Sequence, residues 1–66
     1  MKLTINGEIA DNIQAQTIQE LLEELKIVSG RVAVEVNLNI VKRAEFGAFR
    51  LNEGDVIEIV NFVGGG

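Results

Sequence analysis

Lys2-Leu3-Thr4-Ile5 alternates polar with apolar side chains, the period of a half-buried strand. Asn6-Gly7 follows, and both residues tolerate the positive φ of a type I′ turn. Glu8-Ile9-Ala10-Asp11 is therefore expected to return as the second strand of a hairpin. Thr17-Ile18-Gln19-Glu20 reads as a capping box, in which the threonine oxygen accepts from the glutamate's backbone N–H and the glutamate reaches back. Ile18, Leu21, Leu22 and Leu25 then share one helical face, with Gln19, Glu20, Glu23 and Glu24 opposite. The spacing predicts a helix over about residues 18 to 27, with Lys26 at the negative end of its dipole and Gly30 as the stop. The acidic stripe on its outer face reads as solvated surface.

Val32-Ala33-Val34-Glu35-Val36 has the period-2 pattern again, with three valines on one face. Asn37-Leu38-Asn39 reads as a turn, Ile40-Val41 as a short strand, and Lys42-Arg43 as its solvated end. Phe46, Phe49 and Leu51 lie in an irregular stretch and are expected to drop into a satellite cluster. Asn52-Glu53-Gly54-Asp55 is a turn, and residues 56–62 form the last strand. This order gives an α+β layout, one helix packed across a small mixed sheet, and it fits a β-grasp. The final strand is then expected beside the first, with Ile57 and Ile59 facing Leu21, Leu22 and Leu25. Its outward face carries Val56, Glu58, Val60 and Phe62. Three of those four are apolar, and an apolar patch on an open sheet face marks a candidate partner-docking site. The competing reading is that a loop or side chains cover the patch, or that it only reflects strand propensity, and Arg43 and Arg50 are open between rim contacts and ordinary solvated surface.

Composition narrows the chemistry. Sixty-six residues make one domain, small enough to bury only about 60% of its unfolded surface. There is no cysteine, hence no disulfide or thiolate, and no histidine, the usual general base and commonest metal ligand. No metal site and no autonomous enzyme are expected; chemistry is done on the chain, not by it. The net charge of −4 and only three aromatic residues disfavour nucleic acid. No apolar run approaches a membrane span and no signal peptide opens the chain, so a soluble, cytoplasmic protein is the expectation.

The division expected is a domain over residues 1–63 and a flexible tail over 64–66. Phe62-Val63 runs straight into Gly64, Gly65 and Gly66. Glycine adds backbone without bulk, so such a tail can enter a narrow cleft with its terminal carboxylate. A frayed terminus is the plain alternative. The glycines open no helix and form no phosphate-binding loop, so any nucleotide must belong to a partner.

Val36-Asn37, Ile40-Val41, Arg43, Phe46, Leu51, Gly54-Asp55, Ile57-Glu58-Ile59 and the Gly65-Gly66 end together resemble the ThiS family across essentially the whole chain. Phe46 stands where that family often has tryptophan, and Gly64 adds a third glycine. The family comprises ubiquitin-like β-grasp sulfur carrier proteins of thiamine biosynthesis. The resemblance implies that an E1-like adenylating enzyme (ThiF-type), using ATP and Mg, adenylates the carboxylate of Gly66. A persulfide sulfur donor such as a cysteine desulfurase then yields a thiocarboxylate, which gives its sulfur to thiazole synthase (ThiG-type). No cofactor bound by this chain is implied.

Three alternatives stand beside it. MoaD-type carriers of molybdopterin synthesis share the fold and the thiocarboxylate, but tend to be longer at the front and often carry a proline pair before the tail; this chain has no proline. A ubiquitin-like protein modifier would share the adenylate and end in isopeptide conjugates. A plain interaction domain would not need its last two glycines.

Overall fold

In the computed structural model, which describes residues 1–62, strands β1 (Leu3–Ile5) and β2 (Glu8–Ala10) pair antiparallel around Asn6-Gly7. Both turn residues have positive φ, 51° and 84°, as a type I′ turn requires. Strands β3 (Val32–Val36) and β4 (Asn39–Val41) form a second hairpin, whose turn residues Asn37 and Leu38 are also left-handed. The last strand, β5 (Val56–Asn61), lies between the hairpins, parallel to β1 and antiparallel to β3. The sheet order is β2-β1-β5-β3-β4, so the final strand does sit beside the first at the centre of the sheet.

Helix α1 (Ile18–Glu24) starts as its sequence dictates: the Glu20 N–H donates to Thr17 Oγ1 at 3.2 Å. The reciprocal half of the box differs from expectation. Glu20 Oε1 accepts from the Gln16 N–H at 2.8 Å, one residue before the cap. Two further N–H groups of the first turn, those of Ile18 and Gln19, donate to the carbonyls of Phe49 and Phe46. The irregular stretch thus supplies acceptors that the first turn of any helix lacks.

The helix is shorter than expected. It ends at Glu24, not near residue 27, and Gly30 plays no part in stopping it. Lys26 takes φ 60°, its N–H donates to Glu23 O at 3.0 Å, and Ile27 N–H donates to Leu22 O at 2.8 Å. This pair of bonds is a Schellman stop, built with lysine in the left-handed seat that glycine usually fills. Gly30 instead lies in a 3₁₀ turn, Ser29–Arg31. The acidic stripe is not merely solvated. Glu24 Oε1 accepts from the N–H groups of Gln14 and Ala15, which pins the loop entering the helix.

One core holds the layers together. Ile18, Leu21 and Leu22 of α1 meet Leu3, Val32, Val34, Val36 and Ile57 of the sheet, all buried. Phe46 and Leu51 belong to this same cluster, with Phe49 packed against it, so the expected satellite cluster is part of the main core. Ile13 and Ala15, from the loop before the helix, complete it. Each large apolar side chain buried in this way stabilises the fold by roughly 1.5–3 kcal/mol.

Candidate functional site: the last strand and its outer face

The Asn52–Asp55 turn aims β5. Gly54 takes φ 85°, the left-handed position that a type II turn reserves for glycine. Its N–H donates to Lys2 O at 2.8 Å, and Asp55 O accepts from the Thr4 N–H at 3.0 Å, so the turn is stitched to the start of β1. The Asp55 carboxylate is buried. It accepts from the Asn52 N–H at 2.8 Å and from Asn37 Nδ2 at 3.0 Å, while Asn37 Oδ1 accepts from the Val56 N–H at 2.9 Å. One aspartate and one asparagine thereby tie the β3–β4 turn to the first residue of β5.

From there β5 is held on both sides. Ile57 pairs with Ile5 and Val36, and Asn61 pairs with Val32. Past the end of β1, the Asn6 side chain continues the pairing through the backbone of Ile59. The last tie is the Phe62 N–H to Arg31 O at 2.9 Å. The strand leading to the glycines is therefore fixed to the sheet through Phe62. Gly64, Gly65 and Gly66, singled out from the sequence, lie outside the described residues with Val63. Covalent geometry alone limits residues 63–66 to a span of about 14 Å at ~3.6 Å each. An enzyme acting on the Gly66 carboxylate must bring its reacting atoms within that distance of the anchored strand.

The expected facing of β5 holds. Ile57 is fully buried and Ile59 packs partly buried against the core. Val56, Val60 and Phe62 are 41%, 60% and 54% exposed, and Glu58 is half-buried beside them. Sheet register adds residues that the linear pattern had not assembled. Ile9 and Val56 both flank Thr4, Ala33 opposes Val60, and Ile40 and Glu58 both flank Glu35. Ile9 and Ile40 are strongly exposed, so the apolar face extends to both sheet edges. Of the two arginines considered for its rim, Arg50 donates to Gln16 Oε1 at 2.9 Å and pairs with Thr17 at the start of the helix, away from this face. Arg43 is exposed in a 3₁₀ turn after β4. Among the described residues no helix is long and apolar enough to cross a membrane.

A central last strand gripped on both sides, parallel to the first and with one helix packed across the sheet, is the architecture of a ubiquitin-like β-grasp domain. The same fold is seen in the thiamine biosynthesis protein ThiS of Geobacter metallireducens, with a TM-score of 0.84, 36% identity and full coverage of both chains. The ThiS family model matches residues 3–66, and the chain belongs to the ThiS family. It is 44% identical to the sulfur carrier protein ThiS of Bacillus subtilis, over 97% of this chain and 98% of that protein. It is also 47% identical, over all of its length, to part of a thiazole synthase of Paramagnetospirillum magneticum. The chain spans only 20% of that protein, and likewise 20% of a Magnetococcus marinus thiazole synthase.

Proposed function

We propose that this chain carries sulfur for thiazole formation in thiamine biosynthesis, as a co-substrate of partner enzymes. The observation that carries the reading is the placement of β5: a strand hydrogen-bonded on both sides leads to the Gly64-Gly65-Gly66 arm. Membership of the ThiS family supports it, as does a stretch like this chain inside a polypeptide named thiazole synthase.

The chemistry has two activating steps. A carboxylate is a poor acyl donor, so an E1-like enzyme supplies ATP and Mg. The Gly66 carboxylate oxygen attacks the α-phosphorus, and pyrophosphate leaves. Persulfide sulfur then attacks the acyl carbon and AMP leaves; a thiol reduces the resulting acyl disulfide to the thiocarboxylate. Glycine at 65 and 66 offers no β-carbon to crowd either attack. The chain has no cysteine to intercept its own acyl-adenylate. Thiazole synthase takes the sulfur and returns the carboxylate. Val56, Glu58, Val60 and Phe62 meet the partner enzymes while the arm enters their active sites.

The test is ATP–pyrophosphate exchange by the adenylating enzyme of the same organism, with the full chain as acceptor. Exchange is expected with the wild type and lost on deletion of Gly66. Exchange that survives the deletion would remove Gly66 as the reacting residue.

A further inference from the structure

Asn6-Gly7 is the one place in the chain where glycine follows asparagine; isoleucine, leucine, glutamate or phenylalanine follows the others. A side-chain amide is thermolabile at such a step, because no β-carbon shields the next backbone nitrogen. Both residues are exposed, and a Cβ built on Gly7 would meet nothing within 4 Å, so the space around the Gly7 nitrogen is open. Against this chemistry the fold sets one restraint. The Asn6 carboxamide is turned across to β5, where Oδ1 accepts from the Ile59 N–H at 2.7 Å and Nδ2 donates to the Ile59 carbonyl at 3.2 Å. Closing a ring onto the Gly7 nitrogen swings the carboxamide away from Ile59 and breaks both bonds. Those bonds are exposed and sit beyond the end of a three-residue strand, so local opening costs less than unfolding the core.

We propose that Asn6 is a site of spontaneous deamidation, restrained by Ile59, and that its conversion loosens the grip on the end of β5. The step needs only water and hydroxide. Hydroxide removes the Gly7 N–H proton and the nitrogen attacks Asn6 Cγ. The Cγ–Nδ2 bond breaks, and the departing nitrogen takes a proton from water and leaves as ammonia. The product is a five-membered succinimide. Water then opens it on either side. Attack at Cγ gives aspartate; attack at the Asn6 main-chain carbonyl carbon gives isoaspartate, whose chain runs through Cβ and Cγ. Aspartate still accepts from the Ile59 N–H, but it sets a carboxylate oxygen against the Ile59 carbonyl where Nδ2 had donated. Isoaspartate adds a methylene to a tight turn and disturbs the pairing of β1 with β2. Either product loses a bond that holds β5 beyond its last backbone pair with β1, Ile5 with Ile57. The inference stands on the hairpin and β5 alone and does not depend on the carrier reading.

The experiment incubates the full-length chain at mildly alkaline pH, folded in buffer and unfolded in guanidinium chloride, and maps the products by peptide mass spectrometry. Exchange of an amide NH2 for OH is expected first at Asn6 in both samples, as aspartate and isoaspartate together. The folded chain should convert about ten- to a hundredfold more slowly, the effect of two exposed hydrogen bonds that must open first. Equal rates would overturn the restraint by Ile59. A folded chain that stays intact beyond that limit would overturn the site, because Asn6 would then open only with the whole fold. Earlier conversion of another asparagine in the folded chain would overturn it too, and aspartate without isoaspartate would overturn the attack by Gly7. The Asn6→Asp variant reads the consequence: its Ile59 amide is expected to exchange with deuterium about tenfold faster than in the wild type. The same exchange on aged against fresh wild-type chain gives a second reading that does not need the variant to fold. Unchanged protection of that amide after conversion would overturn the loosening of β5.

Discussion

The Asn6 side chain pairs with the backbone of Ile59 as a neighbouring strand residue would: its Oδ1 accepts from the Ile59 N–H at 2.7 Å and its Nδ2 donates to the Ile59 carbonyl at 3.2 Å. One residue thus makes a left-handed hairpin turn and extends the grip of β1 along β5 toward the tail. Asn6→Gly keeps the positive φ and removes only the amide. We expect a loss of about 1 kcal/mol in urea unfolding and faster hydrogen exchange at the Ile59 amide. Unchanged protection of that amide would show that the side chain does not hold the strand.

Asp55 and Asn37 bear a comparable load at the other end of β5. Asp55→Ala leaves Asn37 Nδ2 and the Asn52 N–H without their acceptor. The expected cost is about 2–3 kcal/mol, since each orphaned donor loses its partner in a half-buried site. In the Asn37→Gly background the same substitution should cost less, because the two residues share one network. Strict additivity in the double-mutant cycle would contradict the coupling.

Lys26 occupies a left-handed seat at φ 60° that suits glycine better. Lys26→Gly is expected to raise stability by roughly 0.5–1 kcal/mol, read as a higher thermal midpoint, with the Schellman bonds intact. A lower midpoint would mean that the lysine side chain contributes more than its backbone strain costs.

Ile57 and Ile59 test the facing of the last strand. Ile57 is fully buried, so Ile57→Ala should cost about 2–5 kcal/mol, a large share of the stability of a chain this small. Ile59→Asp places a charge against the core from a partly buried site and is expected to unfold the domain. By contrast Phe62→Ala, at an exposed site, should leave the urea midpoint nearly unchanged and weaken binding to the adenylating enzyme in a titration. Equal affinity would take Phe62 out of the docking face.

What could be read from the sequence, and what could not, divides along physical lines. Asn6-Gly7, the valine strand, the Thr17 cap and the Gly54 turn carry local signals that their backbone conformations demand, and each sits where expected. The helix end was hidden because a lysine, not a glycine or proline, takes the left-handed position. The Phe46 and Phe49 carbonyls that serve the helix start, and the buried Ile13 and Ala15, depend on contacts between distant segments that no local pattern announces. The outward face of β5 follows from period 2 alone. That Glu35 stands opposite Glu58, and that Ile40 joins them, follows only from strand register. Gly66, the residue proposed to react, was singled out from composition and position alone; its placement lies outside the described residues.

Intact mass spectrometry of the full chain bears most directly on the carrier role. The protein is incubated with ATP, Mg, the adenylating enzyme of the same organism, and a persulfide donor with a thiol reductant. We expect a mass gain equal to the exchange of one oxygen for one sulfur, located at Gly66 by fragmentation, and its disappearance once thiazole synthase and its substrates are added. An unchanged mass, with the enzyme shown to be competent on another ThiS-family carrier, would contradict the account.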